Sequence, residues 1–290
     1  MLLRIVSILF PLFAITAIGF LVGRRAKPDL SHANKLNMDV FVPALVFGAL
    51  ANKSFHVTEF LPLLGATLAV VVGSGLLGLA VARGLGIAPK TLVPPIMFNN
   101  CGNLGLPLAV LAFGEQALAP AVVMFMVSNL LHFSFGAWLL DHQIKLGGIW
   151  KVPSVLATLA GLAVGLSGFE VWGPAMTAIR MLGEISIPLM LFALGVRLTE
   201  SRIGEIRLGL IGAALRPVIG MLLAAGGMLL VPLPPRERAL LLVFGALPPA
   251  VLNYIFAERY HQEPEKVASI VLLGNVAALL FLPVALAIGL

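Results

Sequence analysis

Two short segments carry the residue types best suited to binding chemistry, and both interrupt apolar stretches. The first, 99–107, holds three asparagines, two glycines and a proline; its candidate binding residues are Asn100, Cys101, Gly102, Asn103, Gly105 and Pro107. The second, 247–253, contributes Pro248, Pro249, Val251 and Asn253. Glycine and proline disfavour a continuous helix, so we expect a break in each segment. The helix that starts after each break has unpaired N–H groups with a partial positive charge, which suit an anion.

A purely structural kink is the alternative to a binding site at these breaks. In that case the asparagine side chains would satisfy the backbone groups that the break frees. Unpaired backbone groups cost several kcal/mol each in lipid, so both alternatives require that the breaks face protein or water.

The composition places these segments in a membrane. Of 290 residues, 60% are hydrophobic and 11% are charged, against about 25% charged in ordinary soluble domains. The mean hydropathy of +1.05 excludes a soluble or disordered chain, and the single cysteine excludes an intramolecular disulfide. Apolar runs of about 20 residues predict an all-α polytopic membrane protein. The ten predicted spans are 5–22, 36–51, 60–82, 91–113, 118–140, 152–166, 176–196, 208–231, 239–257 and 267–289.

The net charge of +6 is explained by the connectors rather than by nucleic acid. Thirteen of the nineteen lysines and arginines fall in the odd-numbered connectors, and five fall on the other side or at the ends. Cytoplasmic loops carry the excess of basic residues, so we expect the odd connectors in the cytoplasm and both termini outside. The predicted location is a cell (inner) membrane.

Recurring residues indicate an internal repeat. Each half of the chain supplies one member of the pairs Pro43/Pro188, Phe47/Phe192, Asp39/Glu184, Gly19/Gly161, Phe98/Phe244 and Asn129/Asn275, at offsets of 142 to 146. Two five-span halves, 1–140 and 152–290, therefore flank a short connector, 141–151. Because five is odd, the second half is inverted relative to the first. Paired interrupted helices in an inverted repeat are the best sequence indication of a transporter binding site.

Three ionisable residues lie within predicted spans, and such residues are usually functional. Arg216 would balance an anionic substrate or neutralise a buried carboxylate. Asp39 and Glu184 would carry a coupling proton or form ion pairs, or they simply reach the interface. Asn129 and Asn275 lie mid-span, where we expect hydrogen bonds between helices. Neither a cofactor motif nor a metal-ligand set is present, and one mid-span histidine, His132, gives no catalytic cluster, so we expect no enzyme, cofactor or metal.

The ordered motifs resemble the auxin efflux carrier family, which includes plant PIN-formed carriers and bacterial malate permease-like proteins. Segments 100–107, 246–260 and 41–47 carry the resemblance. It implies a ten-helix 5+5 inverted repeat similar to sodium/proton antiporters and bile-acid symporters, with a scaffold from helices 1, 2, 6 and 7. It further implies a moving part from helices 3–5 and 8–10, substrate at the crossing of helices 4 and 9 near Asn100, and a homodimer. Asn253 stands where plant members often have proline.

The expected function is secondary or facilitated transport of a small organic anion by elevator-type alternating access. A carboxylate such as malate, or an auxin-like anion, is the expected substrate, with a proton or sodium ion as the possible coupling ion. A channel-like or receptor-type membrane protein is the first alternative. Another ion-coupled transporter of the same fold, similar to the sodium/bile-acid symporters, is the second.

Overall fold

The computed structural model describes residues 1–51, 57–143, 146–200 and 204–290, and this part of the chain is helical without a strand. Lys53, Lys145 and Arg202, three of the basic connector residues counted above, lie outside the described residues. Twelve helices account for the fold of the described residues, together with a short 3₁₀ helix at Leu146–Lys151. They are α1 Leu2–Ala26, α2 over 31–50, α3 Val57–Gly84, α4 Pro89–Met97, α5 Cys101–Phe113, α6 Glu115–Leu140, α7 Pro153–Ser167, α8 Gly173–Glu200, α9 Ile206–Leu230, α10 Pro235–Ala246, α11 Leu252–Arg259 and α12 Pro264–Gly289.

Six of these helices are long and apolar enough to cross a membrane, counted over the described ranges. Two shorter apolar helices, Cys101–Phe113 and Pro153–Ser167, accompany them. A 20-residue helix spans about 30 Å, the thickness of the hydrocarbon core, so the long helices cross it. The chain is an integral membrane protein. The six spanning helices are Leu2–Ala26, Glu59–Gly84, Glu115–Leu140, Gly173–Thr199, Ile206–Leu230 and Pro264–Gly289.

The helices pack most extensively within two groups. In one group, α1 lies along α8, and α2 packs against both α7 and α8. In the other group, α9 packs against α12, α10 and α3, while α3 also packs against α4 and α6. Contacts between the groups are fewer and come mainly from α5 and α6.

Glycines allow the close helix contacts within the first group. A Cβ atom on Gly19 of α1 would lie 2.2 Å from the carbonyl oxygen of Phe192 in α8. A Cβ on Gly161 of α7 would lie 3.3 Å from the carbonyl oxygen of Phe47 in α2. Both contacts join a glycine of one half to a phenylalanine of the other, and the four residues are two of the pairs that recur in the sequence. Small residues at such positions let helix backbones approach closely in membranes.

Candidate functional site

The two chain breaks cross each other and are joined by backbone hydrogen bonds. The first break, 98–100, separates α4 from α5, and the second, 247–251, separates α10 from α11. The backbone N–H of Asn100 donates to the Pro248 carbonyl at 2.8 Å, and that of Ala250 donates to the Phe98 carbonyl at 3.0 Å. Asn99 lies opposite Pro249 in this antiparallel bridge. Each break therefore satisfies backbone groups that the other has freed, as a non-aqueous environment requires.

Two asparagine side chains tie the same crossing from opposite sides. The Asn99 amide donates to the Phe244 carbonyl at 2.6 Å, at the end of α10. The Asn253 amide, at the start of α11, donates to the Phe98 carbonyl at 3.0 Å and to the Ala250 carbonyl at 3.0 Å. Both side chains are buried. This part of the structure agrees with the alternative in which asparagines satisfy freed backbone groups.

Asn275 of α12 supports the crossing from a third direction. Its amide donates to the Pro249 carbonyl at 3.2 Å and to the Val271 carbonyl at 2.8 Å. Its side-chain oxygen accepts a hydrogen bond from the Asn100 amide at 3.2 Å. Gly274 allows this approach, because a Cβ there would lie 2.5 Å from the Pro249 ring.

The first break is shorter than we expected from its composition. The helix resumes at Cys101 with a π-helical turn, Cys101–Gly105, so Gly102, Asn103, Gly105 and Pro107 lie inside α5. Gly105 is needed there for packing, because a Cβ would lie 2.9 Å from the Leu247 side chain of the second break. The wide hydrogen-bond spacing of a π turn accommodates the glycines that we expected to end the helix.

A cavity of about 210 Å³ lies beside the crossing. The starts of α5 and α11 both reach it, together with the beginning of α2, the middle of α6 and the end of α8. Six asparagines line it, along with Ser128, His132 and Arg197. The six are Asn34, Asn37, Asn99, Asn100, Asn103 and Asn129.

Three π-helical turns occur in the described ranges, and each of them contributes to this cavity. They are Asn37–Phe41 in α2, Cys101–Gly105 at the start of α5, and His132–Gly136 in α6. Asn37, Cys101 and His132, the first residue of each turn, line the cavity. Single π turns inside α-helices are frequent at functional sites, because the extra residue redirects side chains and frees backbone groups.

The residues singled out from the sequence divide between the cavity and the crossing. Asn100, Cys101, Gly102, Asn103, Val251 and Asn129 line the cavity. Gly105, Pro248, Pro249, Asn253 and Asn275 lie outside the cavity lining, where they form or support the crossing, and Pro107 is buried inside α5.

Arg216 of α9 is fully buried and lies against the end of α10. Its Nη1 donates to the Gly245 carbonyl at 3.2 Å, while Nε and Nη2 have no hydrogen-bond partner among the described residues. Gly220 makes room for the guanidinium, because a Cβ there would lie 2.2 Å from Nη1. A cation next to the carbonyl end of a helix interacts favourably with the helix dipole. Arg216 does not line the cavity.

Asp39 and Glu184 are exposed on α2 and α8 and lie outside the cavity lining. Asp39 belongs to the π turn of α2, whose first residue, Asn37, faces the cavity. The two carboxylates therefore have no direct contact with a molecule bound in the cavity.

Several lining residues carried no signal in the sequence. Asn34, Asn37 and Arg197 lie near helix ends, where polar residues are ordinary, and Ser128 is a single hydroxyl in an apolar helix. His132 was visible as a mid-span histidine, but its ring contacts come from distant segments. The ring stacks on Phe98 at 4.1 Å between centroids and meets the edge of Phe256 at 5.1 Å.

A polar cluster joins the loop between α11 and α12 to the start of α4, outside the spanning segments. The Glu263 carboxylate accepts hydrogen bonds from Thr91 and from Lys266, the latter at 2.5 Å. The hydrogen bonds from Lys266 and then Thr91 lower the pKa of Glu263 below its usual value.

Comparison of the sequence with known proteins shows the family of the chain. A sequence model described as "Membrane transport protein" matches residues 4–145 and 138–286. A Rhizobium meliloti protein named "Putative malonate transporter" is 26% identical over 299 residues, covering 94% of this chain and 92% of its own length. An uncharacterized transporter of Methanocaldococcus jannaschii is 23% identical over 196 residues, covering 63% of each chain. The chain belongs to this membrane transport protein family, the auxin efflux carrier family.

Proposed function

We propose that the protein is a secondary transporter that binds a small organic anion in the cavity beside the crossing. The observation that carries the proposal is the meeting of two half-helix starts, six asparagines and one arginine at one cavity. The N–H groups at the starts of α5 and α11 attract negative charge. The asparagine amides add neutral donors, which hold carboxylate oxygens without adding a counter-charge.

Arg197 supplies the formal positive charge of the cavity wall. A guanidinium presents several N–H donors in a planar arrangement that matches a carboxylate. Arg197 extends from α8, whereas the asparagines of the crossing belong to the other helix group. An anion in the cavity would therefore touch both groups of helices.

A three-carbon dicarboxylate such as malonate is the substrate that we favour. The name of the Rhizobium meliloti relative motivates this choice, and malate is the closest alternative. The cavity of about 210 Å³ is many times larger than the space that one water needs, so a molecule of this size fits with some water retained. Two carboxylates also match a wall whose donors come from both helix groups.

The position of the cavity supports an inward-facing conformation. The beginning of α2 and the end of α8 line the cavity and adjoin connectors that are rich in lysine and arginine, and α11 runs from the cavity to another basic connector. Basic connectors are expected on the cytoplasmic side, with both termini outside the inner membrane. Alternating access then requires that the crossing and its helices move relative to α1, α2, α7 and α8. The sparse contacts between the two helix groups, the paired breaks and the ten-span inverted order expected from the sequence are the support for elevator-type movement.

Counterflow of radiolabelled malonate in proteoliposomes tests this function. Unlabelled malonate inside the vesicles should accelerate uptake of labelled malonate, because a transporter returns faster when it is loaded. A channel would conduct malonate without this acceleration. Uptake that unlabelled malonate does not accelerate would therefore contradict the proposal.

Arg197→Gln provides the matched test of the site. Removing a charge-assisted hydrogen bond costs about 1.5–3 kcal/mol, which corresponds to about a tenfold to hundredfold weaker malonate affinity. Arg180→Gln removes an exposed arginine from the same helix, outside the cavity, and should leave the affinity unchanged. Equal effects of the two variants would show that the cavity is not the anion site.

A further inference from the structure

His132 occupies an unusual position for a buried polar side chain. It is 4% exposed, it lines the cavity, and it opens the π turn of α6. Its Nε2 atom is buried and has no hydrogen-bond partner among the described residues. Buried polar atoms are nearly always paired, so this ring nitrogen at the cavity wall is available to a molecule bound in the cavity.

The ring of His132 is fixed by its neighbours. Phe98 stacks on it with an angle of 7° between the planes, and Phe256 packs against it edge-on. Gly136, one turn along α6, makes space for this stack, because a Cβ there would lie 2.7 Å from Phe98 and 3.1 Å from the imidazole. Phe98 belongs to the first break, so the ring position is coupled to the crossing.

Few charged groups of the described residues face this ring. Its neighbours outside α6 among the described residues are Phe98 of the first break and Asn253 and Phe256 of α11, and none of them titrates near neutral pH. The titratable residues that share the cavity wall are Cys101 of α5 and Arg197 of α8, while α2 contributes only asparagines and apolar residues. Burying an imidazolium without a counter-ion is costly, so the empty cavity favours the neutral ring.

We propose that His132 binds a proton together with the anion, so that each carboxylate substrate enters the cavity with one proton. The proposal rests on the proposed function, since it requires an anion in the cavity. A carboxylate beside Nε2 supplies the counter-charge, and the ring then takes a proton from the aqueous side of the cavity. The Nε2–H group donates to the carboxylate, and the same proton leaves when the anion is released. His132 then couples transport to a proton gradient, which is the role that we expected from the sequence for Asp39 or Glu184.

Proton uptake on malonate binding is the direct test. Purified protein in weakly buffered detergent is mixed with malonate at about pH 7.5, above the range in which carboxylic acids titrate, and a pH-indicator dye reports protons taken up. We expect about one proton for each malonate bound by the wild-type protein. His132→Gln should bind malonate without proton uptake, whereas His142→Gln, an exposed control in a connector, should behave as wild type.

The pH dependence of affinity gives a second measurement. If one proton binds with each anion, the affinity of the wild-type protein for malonate should fall about tenfold for each unit of rising pH. This holds over the pH range in which the His132 ring is neutral without malonate and protonated with it. The affinity of His132→Gln should be nearly independent of pH. Proton uptake or a pH slope that persists in His132→Gln would overturn the proposal, as would malonate binding by the wild type without proton uptake.

A spectroscopic readout covers the case in which His132→Gln does not fold. In protein labelled with ¹⁵N-histidine, malonate should convert one ring from the neutral to the imidazolium signature. If malonate converted no histidine ring to the imidazolium form, the proposed role of His132 would be wrong. Absence of malonate binding by the wild type would instead overturn the proposed substrate, so the two failures are distinguishable.

Discussion

Truncation of Asn275 should weaken the crossing more than truncation of Asn129, its partner in the sequence repeat. Asn275 joins α12 to both breaks through the Pro249 carbonyl and the Asn100 amide. Asn129 lines the cavity, and no described residue hydrogen-bonds to its side chain. The two residues have the same type and similar depth in their helices, so they form a matched pair.

The cost of Asn275→Ala follows from the two interhelical hydrogen bonds that it removes. Such bonds contribute about 0.6 kcal/mol each on average in membrane proteins, which gives about 1 kcal/mol. The truncation also leaves the buried Pro249 carbonyl and the buried Asn100 amide without these partners, at about 1–3 kcal/mol for an unpaired group. We therefore expect a loss of about 1.5–3 kcal/mol in the free energy of unfolding, against less than about 0.5 kcal/mol for Asn129→Ala.

Unfolding by sodium dodecyl sulfate in mixed micelles, followed by circular dichroism, measures the difference. Asn275→Ala should unfold at a lower mole fraction of the detergent, and Asn129→Ala should follow the wild-type curve. If Asn129→Ala were as destabilised as Asn275→Ala, the hydrogen bonds at the crossing would not be the source of stability.

Three further changes test other parts of the structure. Gly195→Ala places a Cβ 2.0 Å from the Thr16 carbonyl oxygen and should lower the free energy of unfolding by about 1–3 kcal/mol, whereas Gly65→Ala meets no atom within 4 Å and should not. Arg216→Met should leave the free energy of unfolding nearly unchanged, since buried ionic groups are often replaceable by apolar ones. It should slow malonate counterflow, because Arg216 contacts the end of α10 that leads into the second break. Unchanged flux would exclude Arg216 from function. Glu263→Gln should make the thermal stability less sensitive to acid below pH 4.5, the ordinary pKa of a glutamate carboxyl group. The lowered pKa of Glu263 in the folded protein gives stability that is lost as the pH falls through that pKa, and glutamine cannot give this stability. An unchanged dependence of the melting temperature on pH would contradict this reasoning.

The breaks were predictable from the sequence because their cause is local. Proline removes a backbone donor and glycine weakens a helix wherever they occur, so 99–107 and 247–253 indicated interruptions without any knowledge of the fold. The exact limits were not predictable. The π turn at Cys101–Gly105 depends on contacts with Leu247 and Phe125, which lie far away in the chain.

The cavity was only partly predictable, because its lining depends on which way side chains face. Asn100 and Asn103 were found from their spacing, but His132 and Arg197 reach the same space from α6 and α8. Arg216 was found as a buried charge, yet its partner, the Gly245 carbonyl, is a backbone group that no residue pattern reveals.

The backbone bridge between the breaks makes the architecture of the protein largely independent of the side chains that determine its selectivity. The hydrogen bonds Asn100 N–H to Pro248 and Ala250 N–H to Phe98 are made by groups that every substitution except proline retains at the donor positions. Mutations that alter the cavity wall therefore leave this joint in place. Side-chain changes in the wall can therefore alter what the cavity binds without removing the hydrogen bonds that join the two breaks.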